Sequence, residues 1–230
     1  MALDIIESSK IKSPWSTRRS VWVAVISLIL GIVVFGLAYI GMLQNIGIGV
    51  FNQPILAWMV GHRDPQITNI MKLITEAASP IIFTVVVCVG AGFWALIKRE
   101  IWRPLLLIGS TGAAAILSTA LKTVTTNGRP PVVNMIAPFE IDYSFPSGHT
   151  ISIAVCLLVL GYLIYSRRSS GIRIFTWTII TTFGIGMIAI SRLYLGYHWL
   201  TDIVSSIGLG FAILAGVIII DIIVDRRFKN

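Results

Sequence analysis

The chain has 230 residues, 56% hydrophobic and only 12% charged, with a mean hydropathy of +0.87 and a formal net charge of +8. Water-soluble domains run at roughly 45–50% apolar and about 25% charged residues, so this composition excludes an ordinary globular domain. It also excludes a disulfide scaffold and a Cys/His metal centre, because Cys88 and Cys156 are the two cysteines and both lie within apolar runs.

In chain order, the polar opening "MALDIIESSKIKSPWSTRRS" precedes a first apolar run that is too long for a signal-peptide core. It lacks a small-residue cleavage site, so it predicts an uncleaved span. Apolar runs over 21–43, 77–97, 104–121, 150–166, 174–191 and 203–222, uncharged except for Asp221 near the end of the last, approach or reach the roughly 17–25 residues that cross a bilayer core. The expectation is an all-α polytopic membrane protein with six transmembrane helices. Residues 44–61, "QNIGIGVFNQPILAWMVG", are uncharged but interrupted by Gln44, Asn45, Asn52, Gln53 and Pro54. Lipid does not tolerate an unpaired polar backbone, so this piece predicts a loop and a short interfacial helix in the first outer loop. No Pro/Ser/Gly linker divides the chain, which predicts one membrane-embedded domain over residues 1–230.

Six spans fix the orientation. Of the 18 Lys and Arg residues, all but Arg63, Lys72, Lys122, Arg129 and Arg192 fall on the side of the two termini. The positive-inside rule makes that side the cytoplasm, and it accounts for the positive charge without a nucleic-acid partner. Asp221, Asp225, Arg226 and Arg227 mark the cytoplasmic end of the last span.

Three of the exceptional cations belong to compact polar clusters on the opposite side. In "LKTVTTNGRPP", Lys122 closes the third span, Asn127-Gly128 signals a turn, and Pro130 disfavours helix at Arg129. In "YSFPSGHT", Pro146 is expected in the first turn of span four. The N–H groups of Ser147, Gly148 and His149 would then face the loop side as an anion site, with glycine admitting close approach. In "ISRLYLGYHWLTDIV", His198 and Asp202 are spaced i,i+4 and share a face if span six begins near Tyr197. Asp202 can accept the proton of one imidazole nitrogen and leave the other free to attack. Arg192 lies six residues before His198 and reaches the same pocket across the turn.

Singly, each piece has a plain alternative: a helix cap, an aromatic belt around Tyr194, Tyr197 and Trp199, a packing hydroxyl at Ser191. Together they place three cations, backbone donors, two imidazoles and one carboxylate on one membrane face, where a multivalent oxyanion such as phosphate is the natural guest. No Asp/Glu cluster of metal-binding type is present, so no metal or cofactor is expected.

These residues resemble the type-2 phosphatidic acid phosphatase family of integral-membrane lipid phosphate phosphatases. "KTVTTNGRP", "PSGH" and "SRLYLGYHWLTD" fit its three-part signature K-x6-R-P, P-S-G-H, S-R-x5-H-x3-D in order and spacing. The resemblance implies that His198 attacks phosphorus, Asp202 orients it and His149 protonates the leaving oxygen. It implies that Lys122, Arg129, Ser147, Gly148 and Arg192 hold the phosphate. The expected substrate is a lipid phosphate or prenyl pyrophosphate, met at the extracytoplasmic face of a bacterial cell membrane, with membrane lipids as the surroundings. Two other functions fit parts of the pattern. A phosphotransferase would pass the same phosphoryl group to a hydroxyl. An anion transporter would need charges and broken helices near the bilayer midplane, and these spans carry none. Residues 44–75, with Trp58, Arg63, Asp64 and Lys72, are the expected lid. His62 is expected on the surface, and Glu140 and Asp142 are candidates to tune head-group selection.

Overall fold

The computed structural model describes residues 16–166 and 170–227, the side chains of residues 226 and 227 excepted. The basic residues Lys10, Lys12, Arg167, Arg168 and Lys229, used above to orient the chain, lie outside that description. Every regular element among the described residues is helical, and none of them is a strand. Six helices are long and apolar enough to cross a membrane: α1 (Thr17–Gln44), α4 (Pro80–Lys98), α5 (Trp102–Thr125), α6 (Gly148–Tyr165), α7 (Gly171–Tyr194) and α8 (Leu200–Arg227). They coincide with the six predicted spans and make the protein a multi-pass membrane protein.

The segment between α1 and α4 is more structured than expected. In place of one short interfacial helix it holds a 3-10 turn (Gly47–Phe51), α2 (Asn52–Gly61) and α3 (Pro65–Ala77). The start of α3 has a local cause. Asp64 is extended and its side chain accepts the N–H groups of Gln66 and Ile67, while Pro65 occupies the first helical position, where no N–H is needed.

Helices α1 and α8 pack over most of their length, and α6 lies between α5, α7 and α8 at the centre of the bundle. Glycine permits the α1–α8 approach. A Cβ on Gly31 would stand 2.7 Å from the Ala212 nitrogen, and one on Gly208 would stand 2.6 Å from the Phe35 nitrogen. Lipid offers no hydrophobic force between helices, so such backbone proximity and the dispersion contacts it allows hold the pair together. On the far side of α6, Trp177 of α7 covers Gly161 and donates from Nε1 to the Leu157 carbonyl at 3.1 Å. At the end carrying Lys98 and Asp225, Trp102 Nε1 and the Tyr162 hydroxyl donate to the two oxygens of Asp221, at 2.8 and 2.7 Å.

At the opposite end, the loop after α5, the start of α6, the α7–α8 turn and the segment holding α2 and α3 come together. A second cluster of Met135, Tyr194, Leu195 and Tyr197 seals this end. Gly196 makes the α7–α8 turn possible: its φ is +77°, and a Cβ there would lie 2.1 Å from the Asn134 carbonyl oxygen.

Candidate active site

The reversal at residues 195–199 delivers His198 and Asp202 to the head of α8. Asp202, fully buried, accepts the Trp199 N–H through Oδ2 at 2.8 Å and faces His198 Nδ1 through the same oxygen at 3.2 Å. Its other oxygen faces the Asn127 amide at 3.4 Å. Across the ring, His198 Nε2 lies 3.3 Å from Arg129 Nη1, which can only donate. A donor on one side and a carboxylate on the other assign the tautomer: Nδ1 carries the hydrogen and Nε2 carries the lone pair. Burial, reinforced by the charges of Arg192, Arg129 and Lys122 and by His149, holds His198 well below the ordinary imidazole range. It is therefore neutral at pH 7, the form a nucleophile needs.

Arg129 is the hub of the cluster. Its Nη1 donates to the Tyr197 carbonyl at 2.6 Å, and its Nε donates to the Asp142 carbonyl at 2.8 Å. It also pairs with two carboxylates, Glu140 at 2.7 Å and Asp142 at 2.6 Å. Lys122, at the last turn of α5, meets the other oxygen of Asp142 at 2.5 Å. Arg192 pairs through Nη2 with Glu140 and donates from Nη1 to Thr75 Oγ1 at 2.9 Å. Its guanidinium carbon sits 4.5 Å over the Tyr197 ring centroid. Arg192 Nε is buried and makes no hydrogen bond among the described residues. The three expected cations thus converge, bridged by Glu140 and Asp142 from the loop before α6. Partial burial alone would raise the Asp142 carboxyl, but hydrogen bonds and charge from Lys122 and Arg129 outweigh it and hold Asp142 below the usual carboxylate range.

The start of α6 differs from expectation in one respect. Pro146 lies before the helix, not within its first turn, and Ser147 is the N-cap. The Ser147 hydroxyl accepts from the Thr150 N–H at 3.5 Å and the Thr150 hydroxyl at 3.0 Å, and its own N–H points to the Asp202 carbonyl at 3.3 Å. Ser147 therefore shapes the turn and ties it to α8, keeping one hydroxyl hydrogen to offer. The N–H groups of Gly148 and His149 head the helix, where no intrahelical carbonyl is available to them. His149 lies within electrostatic reach of Arg192, Lys122 and Arg129, and of His198.

Residues 44–75, the expected lid, are tied to the bundle by a set of hydrogen bonds. Asn52 exchanges two hydrogen bonds with Thr201, at 3.2 and 3.1 Å, and so satisfies an otherwise open N–H in the first turn of α8. Arg63 donates to the Tyr194 carbonyl at 2.8 and 3.1 Å and to the Asn134 carbonyl at 2.7 Å. Asp64 and Thr68 hold the Tyr194 hydroxyl at 2.8 and 3.1 Å. His62 is exposed and stacks on Trp58, as its surface assignment implies.

The eight candidate residues lie together at one end of the bundle, while several of their partners are not evident from the sequence. Glu140 and Asp142 stand among the candidates to tune head-group selection, but nothing in their spacing reveals that they pair with the three cations. Asn127 lay inside a motif already singled out, yet it was read only as a turn residue. Thr75 and Asn52 gave no local signal, because they act on residues 117 and 149 positions away.

Fold and site together define a multi-pass helical membrane protein that gathers a His–Asp pair and three cations at one end of its bundle. Residues 103–222 match the PAP2 superfamily, and the chain belongs to that family. It is 30% identical over 155 residues to phosphatidylglycerophosphatase B of Bacillus subtilis (strain 168), spanning 64% of this chain and 72% of the relative. Its fold is also that of a solved transmembrane PAP2-type phosphatidylglycerolphosphate phosphatase from Bacillus subtilis, with a TM-score of 0.67 and 23% identity over 86% of this chain and 95% of the other. The family expected from the three motifs is the family found.

Proposed function

We propose that this protein removes a terminal phosphate monoester from a membrane lipid, phosphatidylglycerophosphate first among them. The reaction takes place at the extracytoplasmic face of a bacterial cell membrane, through a phosphohistidine on His198 and without a metal ion. The observation that carries the proposal is the neutral, Asp202-oriented His198, whose Nε2 lone pair opens onto the Arg129 guanidinium 3.3 Å away.

In the first step His198 Nε2 attacks phosphorus in line and the bond to the lipid oxygen breaks. His149 takes up a proton when the phosphate dianion binds beside it and gives that proton to the leaving oxygen, and Asp202 stabilises the positive charge that appears on the substituted imidazole. In the second step water adds to phosphorus and yields its proton to His149. The P–N bond breaks, and inorganic phosphate leaves a neutral His198. Lys122, Arg129 and Arg192, with the Gly148 and His149 amides and the Ser147 hydroxyl, hold the equatorial oxygens as charge moves onto them.

The resting charge balance fits this exchange. Glu140 and Asp142 bring two negative charges to the three cations. A phosphate dianion that displaces them brings the same charge, so substrate enters by replacing carboxylates and not by unpairing buried guanidinium groups in lipid. A pyrophosphate would press its additional charge against those same displaced carboxylates, which favours monoesters. The name of the curated Bacillus relative supports the same substrate class, and the basic residues gathered on the termini's side support the extracytoplasmic face.

The test is phosphate release by the purified protein in detergent micelles, without added acceptor, from phosphatidylglycerophosphate, phosphatidic acid and undecaprenyl pyrophosphate. We expect the highest kcat/KM on phosphatidylglycerophosphate, unchanged by excess EDTA. Loss of all turnover in chelator, or no release from any of the three, contradicts the proposal.

A further inference from the structure

We infer that Thr75, at the end of α3 and outside the segment that matches the family, is a positioning residue for phosphate recognition. It holds Arg192 by one corner, so that the Nε–Nη2 edge of the guanidinium faces the incoming phosphate. The inference rests on the reading of Arg192 as a phosphate ligand and deepens it.

The geometry assigns each donor of Arg192 a place. Nη1 is taken by the Thr75 hydroxyl oxygen at 2.9 Å. Nη2 is taken by Glu140, a carboxylate on a half-exposed loop. Nε, buried, is left without a hydrogen-bond partner among the described residues. Nε and Nη2 point the same way along one edge of the planar guanidinium, the edge that offers two parallel N–H bonds to an oxyanion. Glu140 uses only one of that pair. A buried donor without an acceptor is costly in a folded protein, and a phosphate that replaces Glu140 can engage both.

Once Glu140 leaves, two contacts still orient Arg192: the Tyr197 ring under its plane and Thr75 within its plane. The chemistry of Thr75 suits that task. A hydroxyl oxygen accepts a hydrogen bond without cancelling the charge, so Arg192 keeps its full positive charge for the substrate. A carboxylate in the same place would neutralise it. The anchor is itself braced. Thr68 and Thr75 are seven residues apart and lie on one face of α3, and Thr68 meets the Tyr194 hydroxyl at 3.1 Å. Arg63, just before α3, grips the Tyr194 carbonyl. Helix α3 therefore lies across the end of α7 and carries its hydroxyl to Arg192 from a fixed frame.

A double-mutant cycle tests this with Thr75→Val, Thr75→Ser and Arg192→Lys, reading kcat/KM on the lipid phosphate, inhibition by orthovanadate and Tm in detergent. Thr75→Val is expected to lower kcat/KM and weaken vanadate inhibition by about tenfold each, the cost of one lost hydrogen bond to a charged group. Thr75→Ser restores the acceptor and is expected to stay within about twofold of the parent. In the Arg192→Lys background, where no guanidinium remains to be aimed, Thr75→Val should cost less than about twofold. An equal loss in both backgrounds, or unchanged vanadate inhibition in the Arg192 protein, overturns the inference and leaves Thr75 a packing residue. If valine prevents folding, Thr75→Ala is read in the same cycle with the same criteria. Should Arg192→Lys alone leave kcat/KM and vanadate inhibition untouched, the reading of Arg192 as a phosphate ligand fails and the inference fails with it.

Discussion

Replacing His198 with alanine is expected to lower kcat by at least about four orders of magnitude while leaving the protein folded. The size follows from what the substitution removes. Covalent catalysis divides one difficult displacement into two easier ones, and no other side chain in the cluster offers a neutral lone pair already aimed by a carboxylate. On the proposed mechanism His149 cannot take over, because it is the group assigned to protonate the leaving oxygen. The imidazole is buried between Asp202 and Arg129, so the alanine leaves a small polar cavity that water can fill, and stability should fall by a modest amount. Single-turnover phosphate release, with Tm as the folding control, separates the two effects.

Arg129→Ala is expected to reduce kcat/KM by about two to three orders of magnitude, comparable to the loss of an oxyanion donor. This guanidinium touches more of the site than any other side chain: Glu140, Asp142, the Tyr197 carbonyl and His198 Nε2. Its removal takes away a charge that the proposed transition state would draw on and frees the Glu140–Asp142 loop. Arg129→Lys keeps the charge but cannot span those partners, so its loss should be intermediate, roughly tenfold. A steady-state comparison of the two variants on one lipid phosphate checks the order. Equal losses would mean that charge alone matters at this position.

The spans were legible because in lipid the backbone must satisfy itself within the helix, which converts apolar run length directly into a structural element. The pairing of His198 with Asp202 was legible because i,i+4 spacing becomes proximity at a helix start, although His198 itself sits just before α8. The outer segment was harder. Asn52 and Gln53 read as obstacles to a span, and nothing local reveals that Asn52 completes the first turn of α8 by binding Thr201. Asp64-Pro65 is a helix-start signal for α3, an N-cap carboxylate followed by proline at the first helical position. Pro146 was placed one step too far into α6, because a proline before an N-cap serine and a proline in the first turn look alike in sequence. The pairing of Glu140 and Asp142 with the cations depends on how a loop folds over three separate helix ends, and spacing along the chain does not encode that.

On the proposed mechanism His198 becomes covalently phosphorylated. Rapid acid-free quenching of the enzyme with a lipid phosphate labelled with ³²P on the terminal group, followed by denaturing gel and peptide mapping, tests it most directly. The expected result is a label on residue 198 that is stable in base and lost in acid, present in EDTA, and absent from the His198→Ala protein. A label on a different residue, or a His198→Ala enzyme that turns over at near the parental rate, would contradict it.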